Sequence, residues 1–471
     1  MSGDEEGGLM ATVQQRPGAG PSHREQTRVT GVSWWLFALL ILNAIWVTDL
    51  FVLGGGAGSL DAPGGLMTAL GRLTGLYGAL ALVLQLVLIA RVPWLERRLG
   101  MDRLTRWHRW TGFWVLWLLL AHVVCITLGY AGQDRSPVVS EVGTLLFDTQ
   151  DVLKAAAAMV LLVVVAVSSA RVARRRLRYE TWHFVHLYAY LAVALGFLHQ
   201  VTVGRDFIDA PVGRLYWWGL YGAALGAVLA FRVLVPLWCG MRHGLRVLSV
   251  VPEGPAVVSV YIGGRHLDDL PARAGQFFLW RFLTRDSWWE AHPYSLSAMP
   301  DGTTLRITVK ALGDGSAALR RVRPGTRVLA EGPYGAFTFE QRTRHGVLLI
   351  GGGVGVTPIR ALLEELVGTG ADAVVVYRVS DPRDAVLVAE LRWLAHQCGA
   401  RLHIVIGLST ATGRYGPIMG PRHLAALVPG IRHREVYLCG PAGMTDAVLR
   451  TLGELGVPAG HCHTERFAFA G

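Results

Sequence analysis

Charge is scarce in this chain. Only 17% of its 471 residues are Asp, Glu, Lys or Arg, while 52% are hydrophobic. With a mean hydropathy of +0.37, that shortage excludes a disordered polyelectrolyte, a coiled coil and a wholly soluble nucleic-acid binder. Cysteine is scarce as well. Cys125, Cys239, Cys398, Cys439 and Cys462 form no C-x-x-C pair, so neither a zinc ribbon nor a disulfide scaffold is indicated. A secretory leader is not expected either. Residues 1–30 are rich in Gly, Pro, Gln and charge, and the first apolar run begins only near Val32, so this stretch reads as a disordered cytoplasmic tail. The net charge of +11 suggests a polyanion partner at first sight. Many arginines lie beside apolar runs, however, where membrane topology is the better account, and no nucleic-acid partner is expected.

Long apolar runs are what the chain has in abundance. They fall at about 33–53, 66–91, 109–130, 153–172, 182–203 and 215–238, each long enough to cross a hydrocarbon core of about 30 Å as a helix. The connection 91–109 carries Arg91, Arg97, Arg98, Arg103, Arg106 and Arg109, and 171–180 carries Arg171, Arg174, Arg175, Arg176 and Arg178. The connection 54–65 has no Lys or Arg, and 131–152 has one Arg against four acids. Excess positive charge marks the cytoplasmic side, so the expectation is a multi-pass protein of the plasma membrane with both termini inside. After about Arg242 the character changes. Residues 244–340 alternate short β-like runs with Gly/Pro turns, as in a small antiparallel barrel; residues 345–471 alternate β-like and helical runs, as in a parallel α/β sheet.

Histidines interrupt two of the apolar runs, and ionisable or metal-binding side chains in such helices point to a functional site. His108 and His122 belong to the third span, His186 and His199 to the fifth. The first pair is 14 residues apart, a rise of about 21 Å with an angular offset of about 40°. The second is 13 apart, about 19.5 Å. Each helix thus offers one histidine near each face, and two cross-helix pairs suit two haems stacked across the bilayer. Thirteen residues of ideal helix turn the second ligand about 140° from the first, so the fifth span needs a local distortion or laterally displaced haems. His183 competes with His186 for the inner site; His186 fits better in depth. Arg72, near the outer end of the second span, wants an anion. A haem propionate would serve, with snorkelling to the headgroups as the alternative.

The later segments carry cofactor signals. His292-Pro293-Tyr294-Ser295-Leu296-Ser297 ends a strand, where Tyr294 can pack on a flavin ring while Ser295 and backbone groups bond its edge. Lys310 and the turn Gly313-Asp314-Gly315-Ser316 offer a cation and backbone N–H groups to a pyrophosphate. Gly332-Pro333-Tyr334-Gly335 closes the segment. More specific is Leu348-Leu349-Ile350-Gly351-Gly352-Gly353-Val354-Gly355-Val356-Thr357-Pro358. There an apolar strand enters a glycine cluster and leaves as a helix, admitting a dinucleotide pyrophosphate. A second strand leads to Arg378 and Arg383, suited to a 2′-phosphate and so to NADPH over NADH. A third ends in Cys439-Gly440-Pro441, at an edge where a nicotinamide can sit.

These residues, in this order, resemble the NADPH oxidase and ferric-chelate reductase superfamily over about residues 32–471. The resemblance implies a six-helix ferric-reductase-type bundle (31–240), an antiparallel β-barrel FAD domain (244–340) and an α/β parallel-sheet NAD(P)H-binding domain (345–471). It implies FAD, NADPH and two b-type haems as cofactors, the haems held by His108, His122, His186 and His199. By the same likeness Tyr294 and Ser295 contact the flavin, Gly351 to Pro358 hold the dinucleotide, and Cys439 lies near the nicotinamide. Phe467, with Phe469 as second choice, covers the flavin, and Arg72 lies near the haems. The implied activity moves electrons from cytosolic NADPH through FAD and the haems to an outer acceptor. That acceptor is O2, giving superoxide, or alternatively a ferric chelate; a haem subunit serving a partner protein is the third reading. The chain departs from the family in having no EF-hand pattern and no acidic regulatory insertion. Its outer connections are short, mildly acidic and without histidine. Membrane lipid is expected around it, and no obligate protein partner is indicated.

Overall fold

The computed structural model describes residues 29–465, apart from 59, 178, 286, 408–411 and 414–415. The tail expected over 1–30 lies almost wholly outside the described residues, as do Phe467 and Phe469.

The membrane part runs α1 (Val29–Leu53), α2 (Gly65–Ile89), the short α3 (Pro93–Leu99), α4 (Met101–Asp134), α5 (Val138–Phe147), α6 (Val152–Ser169), α7 (Arg171–Arg176), α8 (Tyr179–Val203), α9 (Arg205–Ile208) and α10 (Pro211–Leu229). A π-helical turn, Ala230–Leu234, then joins α10 to α11 (Val235–His243). Among the described residues six stretches are long and apolar enough to cross a membrane: Trp34–Leu53, Gly65–Ile89, Arg103–Asp134, Val152–Ser169, Thr181–Val203 and Pro211–His243. Their outer faces carry bare Trp110, Trp114, Phe184 and Leu215, surface that only lipid can cover favourably. The connection 131–152, read as a loop, contains α5. Of the two alternatives for the fifth span, the local distortion is not there, for α8 is α-helical from end to end, and lateral displacement is the one that stands. The π turn sits instead in the sixth span, just ahead of Pro236, whose ring removes a helix donor and crowds the preceding turn.

Packing inside the bundle is set by small residues. Gly71, Gly75 and Gly78 line one side of α2, where an added Cβ would come within 2.7 Å of Ile126, 2.6 Å of His122 and 2.6 Å of Leu119. Two helices with such a stripe approach closely and gain dispersion contacts that lipid cannot replace. Accordingly α2 lies tightly on α4 and α6 on α8, whereas the backbones of α4 and α8 scarcely touch.

The chain then forms β1 (Arg246–Gly254), β2 (Val257–Gly263), β3 (Phe277–Phe282), β4 (His292–Ser295), β5 (Thr304–Lys310), the short α12 (Asp314–Ala318) and β6 (Val328–Tyr334). The sheets β1-β2-β5 and β4-β3-β6 are antiparallel. Bridges Arg246↔Arg327 and Leu296↔Ile307 join their edges, closing a barrel that leaves no free sheet edge. Val260, Ile262, Trp280, Leu296 and Ile307 fill it. Strand β3 escapes a period-two reading, because Phe-Phe-Leu-Trp-Arg-Phe does not alternate and Phe277, Phe278, Trp280 and Phe282 are all buried.

Beyond the barrel come β7 (Val347–Gly352), α13 (Val356–Glu365), β8 (Ala373–Val379), α14 (Val388–Cys398), β9 (Arg401–Ile406), the small hairpin β10 (Thr412–Gly413) and β11 (Gly416–Pro417), α15 (Pro421–Leu427), β12 (Glu435–Cys439), α16 (Ala442–Glu454) and β13 (Cys462–Glu465). The five-stranded sheet has the order β13-β12-β7-β8-β9 and is parallel throughout. Its central strands β12, β7 and β8 are buried runs because helices cover both faces. From β7 the chain winds outward through β8 and β9, then returns to β12 on the other side. The carboxyl ends of β7 and β12 therefore flank the topological switch point, where open α/β sheets bind ligands.

Candidate functional site: two histidine helices above a flavin-type barrel and a nucleotide sheet

In the bundle the structure brings His108 and His186 together, with ring centroids 6.0 Å apart. A metal–imidazole bond is about 2.0–2.1 Å and an imidazole centroid lies about 1.1 Å from its nitrogen, so two axial rings on one iron face each other at about 6 Å. His186 is also held from behind. Its Nδ1 lies 3.3 Å from Ser169 Oγ, the hydroxyl that accepts a bond from Trp182 Nε1 at 3.1 Å. Gln85 reaches from α2 and donates to the His108 carbonyl at 2.9 Å.

At the other end, His122 Nδ1 lies 2.7 Å from the Gly71 carbonyl. A carbonyl only accepts, so Nδ1 carries the proton and Nε2 keeps its lone pair for a metal. Gly75 leaves the room that the ring occupies. The Nδ1 atoms of His108 and His199 are buried and without a hydrogen-bond partner among the described residues, so neither ring has its tautomer fixed by a neighbour as His122 does. The gap between α4 and α8, the tautomer set at His122 and the 6.0 Å spacing all fit haem.

Arg72 sits 17 residues before Ile89, about 25 Å along α2 from the end facing the barrel. Its expected anion is supplied by the chain itself: Nη2 is 3.3 Å from Asp206 Oδ2, and the pair is largely buried. The guanidinium also lies 5.2 Å above the Phe51 ring. Among the described residues the anion beside Arg72 is thus a carboxylate. Asp206, on the short helix α9, carries no sequence signal of its own.

The opposite end of α2 is clamped to the barrel. Arg91 Nη1 is 2.6 Å from Glu331 Oε1, Tyr334 Oη donates to the same oxygen at 2.9 Å, and the Arg91 guanidinium lies 5.7 Å over the Tyr334 ring. Burial, then Glu331, pushes the Tyr334 phenol well above its ordinary range. The Gly335 N–H donates to Glu96 of α3 at 3.4 Å. Glu331 and Tyr334 lie on β6, and β3 pairs with both β6 and β4. One central strand therefore connects the membrane clamp to the flavin motif.

Within that motif His292 stacks on Tyr294, centroids 5.9 Å apart, and its Nε2 is 3.1 Å from Glu290 Oε2. Gly315 packs on the same group, for a Cβ there would fall 2.7 Å from His292 Nε2. Strand β4 and the start of α12 thus share one cradle. Tyr294 is partly buried on the barrel core, and burial followed by Glu290 raises its phenol. Pro293 pairs across to Leu279 and Ser295 to Phe277.

Four of the expected ligand groups are engaged inside the chain. Ser297 is fully buried, with its Oγ taking bonds from Arg306 Nε at 3.1 Å and Thr308 Oγ1 at 2.8 Å; Leu296 beside it is core. Lys310 Nζ is 3.0 Å from Asp384 of the nucleotide sheet. Ser316 Oγ takes the N–H groups of Leu312 and Gly313 at 2.9 and 3.1 Å, tying up part of the donor set expected for a pyrophosphate. Thr357 Oγ1 donates to the Val354 carbonyl at 3.0 Å. A buried network missed by sequence reading joins barrel and sheet. Arg306 meets Glu390 at 2.9 Å, Arg360 meets Glu390 at 2.8 Å and also pairs with Glu364, and Glu364 accepts the Met299 N–H at 2.6 Å.

At the switch point the glycines do two different jobs. A Cβ on Gly351 would come 3.1 Å from Val356 Cα, one on Gly352 2.5 Å from Met444 Sδ, one on Gly355 2.4 Å from the Cys439 carbonyl, and one on Gly440 2.9 Å from Met444 Cε. These four let the ends of β7 and β12 meet helices α13 and α16. Gly353 alone has a positive φ, +54°, and open space beyond it, the place where a phosphate can approach the backbone. Pro358 is buried in α13, and Pro441 caps α16. Cys439 pairs with Gly351 in register and is completely buried, so its thiol is pushed well above its ordinary range and stays neutral. Arg378, opposite Gly352, donates to the Gly407 carbonyl at 3.1 Å. The exposed Arg383 is held by Asp381, Nη2 to Oδ2 at 2.8 Å.

Comparison with known families and structures adds three findings. The family described as "Ferric reductase like transmembrane component" matches residues 74–197, and "Oxidoreductase NAD-binding domain" matches 349–450. The chain is 33% identical over 193 residues to ferredoxin–NADP reductase B of Sorangium cellulosum, covering 37% of this chain and 77% of that relative. It is 30% identical over 205 residues to the ferredoxin reductase component of 3-ketosteroid-9-alpha-monooxygenase from Rhodococcus rhodochrous, covering 42% of this chain. The match spans only 57% of that relative's length. Among solved structures, the FAD/NAD binding domain of nitric oxide dioxygenase from Vibrio cholerae shares 25% identity at a TM-score of 0.40, covering 48% of this chain and 99% of that one.

Proposed function

We propose that this chain, in which a ferric-reductase-like transmembrane domain is fused to a ferredoxin-reductase-like FAD/NAD-binding module, the architecture of ferric-reductase and NADPH-oxidase type, passes electrons from cytosolic NADPH through FAD and two b-type haems to O2 on the outer side, giving superoxide. The observation that carries the reading is the His108–His186 pair, 6.0 Å between rings, at the end of the bundle to which Arg91 and Glu331 clamp the flavin-type barrel.

When bound, FAD would supply the conversion of a two-electron hydride donor into a one-electron source, and haem would supply one-electron chemistry. The chain's own residues do the rest. His108 with His186, and His122 with His199, would hold the irons; the Gly71 carbonyl orients the His122 ring and the Ser169 hydroxyl the His186 ring. Tyr294 would hold the flavin ring, and Phe467 is the residue proposed to cover it. Gly353 receives the dinucleotide phosphates, and Arg383 with Arg378 meets a 2′-phosphate once Asp381 yields. Cys439, kept neutral by burial, flanks the nicotinamide as a filler of space and not as a nucleophile. With both termini inside, an inside-negative potential favours outward electron flow by about 2.3 kcal/mol per 100 mV.

The match to a ferric-reductase-like component favours a second reading, reduction of a ferric chelate by the same path. Purified protein given FAD and NADPH separates the two. Reduced b-type haem bands with dismutase-sensitive superoxide support the oxidase; haem reduction without superoxide in air, together with rapid ferric-citrate turnover, assigns the reductase. A correctly folded preparation that stays colourless after porphyrin supplementation refutes both.

A further inference from the structure

We propose that the cavity where the last membrane helix meets the flavin-type barrel binds the phosphodiester headgroup of an anionic phospholipid. The cavity measures about 410 Å³ and is lined by Trp238, Met241, Arg242, Arg265 and His266. The last span ends at His243, so these residues stand at the height of the lipid headgroups. Trp238 and Met241 are 56% and 70% exposed, an apolar flank suited to the upper acyl chain and an indole suited to the interface.

The polar wall is prearranged. The Arg265 N–H donates to the His243 carbonyl at 2.7 Å, and His243 Nδ1 lies 3.0 Å from the Arg265 carbonyl. This pair of bonds fastens the barrel turn after β2 to the end of α11. Gly244, at φ +53°, lets the Arg265 guanidinium lie over the chain reversal. One Nη2 donor of Arg265 goes to the Met241 carbonyl at 3.3 Å, and no carboxylate pairs with Arg265 among the described residues. Arg242 stacks 5.5 Å above Trp238 and is paired with Asp269 at 2.5 Å in an exposed pair that offsets part of its charge. One uncompensated guanidinium beside a second, partly compensated one matches a singly charged phosphodiester. A lipid held there touches both the last span and the barrel. The inference stands on the membrane anchorage alone and is independent of the redox reading.

The test uses the full chain in phosphatidylcholine nanodiscs doped with phosphatidylglycerol, with retained lipid counted by native mass spectrometry. The expected result is one phosphatidylglycerol kept per chain, and binding about five-fold weaker in R265Q, the factor one basic side chain contributes at an anionic surface. Met241→Glu, at a position exposed enough to leave folding alone, should weaken binding by at least a similar factor through charge repulsion. Equal retention by wild type and both variants overturns the proposal. So does equal retention of phosphatidylcholine and phosphatidylglycerol. Displacement of the lipid by millimolar inorganic phosphate would assign the pocket to a free anion instead.

Discussion

On the proposed electron path, the Arg91–Glu331 clamp should decide whether a reduced flavin can reach the inner haem. Its two side chains are about one-fifth exposed, and the contact is 2.6 Å. Breaking a fully buried pair by removing one partner costs about 3–5 kcal/mol; with this residual exposure we expect about 2–3 kcal/mol, a factor of about 30–150 in the docked population. Glu331→Gln removes the charge but keeps an acceptor for the Tyr334 hydroxyl, so the barrel itself should stay folded. Stopped-flow reduction of the haem Soret band by NADPH should slow at least ten-fold in E331Q. NADPH-driven reduction of ferricyanide, taken directly at the flavin, should stay within two-fold of wild type. Glu331→Asp, which keeps the charge, should recover part of the haem rate. Loss of both activities would mean that the change damages the barrel, and loss of neither that docking does not depend on this pair; either result refutes the reasoning.

Other expectations follow from the same geometry. His122→Ala and His199→Ala should each remove one haem per chain by pyridine haemochrome assay, and two haems retained in both variants would refute the ligand assignment. Gly75→Ala places a Cβ 2.6 Å from His122 Nδ1 and should deplete the same haem without unfolding the bundle, seen as a halved Soret absorbance at unchanged helical circular dichroism. Glu435 is buried between His463 at 2.7 Å and His461 at 3.2 Å. Burial alone would raise its carboxyl, but His463 and the Thr343 N–H outweigh that, and the net shift is downward. A depressed carboxyl stabilises the fold above its unfolded value of about 4.3 and loses that contribution as pH falls through the lower folded value. The destabilisation of E435Q in thermal melts should thus be full at pH 7 and shrink below about pH 4; a penalty independent of pH would refute this account.

Much of the architecture was legible because it rests on local pattern. Six apolar runs, and the change at about Arg242 from long apolar segments to short β-like ones, need only hydropathy and period. The glycine cluster Gly351–Gly355 reads as a strand-to-helix turn for the same reason. The strand β3 was hidden because its half-buried positions carry Leu279 as well as Arg281, and Phe277 is buried on the face opposite Phe278. The sequence therefore shows no polar alternation, although burial alternates from Phe278 to Phe282. The helix α5 was hidden because its ten residues are too short an apolar run to span a bilayer. The stripe Gly71, Gly75, Gly78 was visible as a small-residue repeat, and would have pointed to the face of α2 that receives His122.

The amino-acid order by itself determined which segments enter the membrane, which histidines are carried at two depths on the third and fifth spans, and that a barrel and a parallel sheet follow; these are consequences of hydrophobic burial and backbone satisfaction acting over a few turns or strands. Only the tertiary structure decided the partners. Arg72 met Asp206, 134 residues away, Arg91 met Glu331, 240 residues away, and Ser297 and Lys310 turned to Arg306 and Asp384. A charge or hydroxyl advertises its need for a counterpart, but the counterpart is chosen by which surfaces pack together, and that is a property of the whole fold.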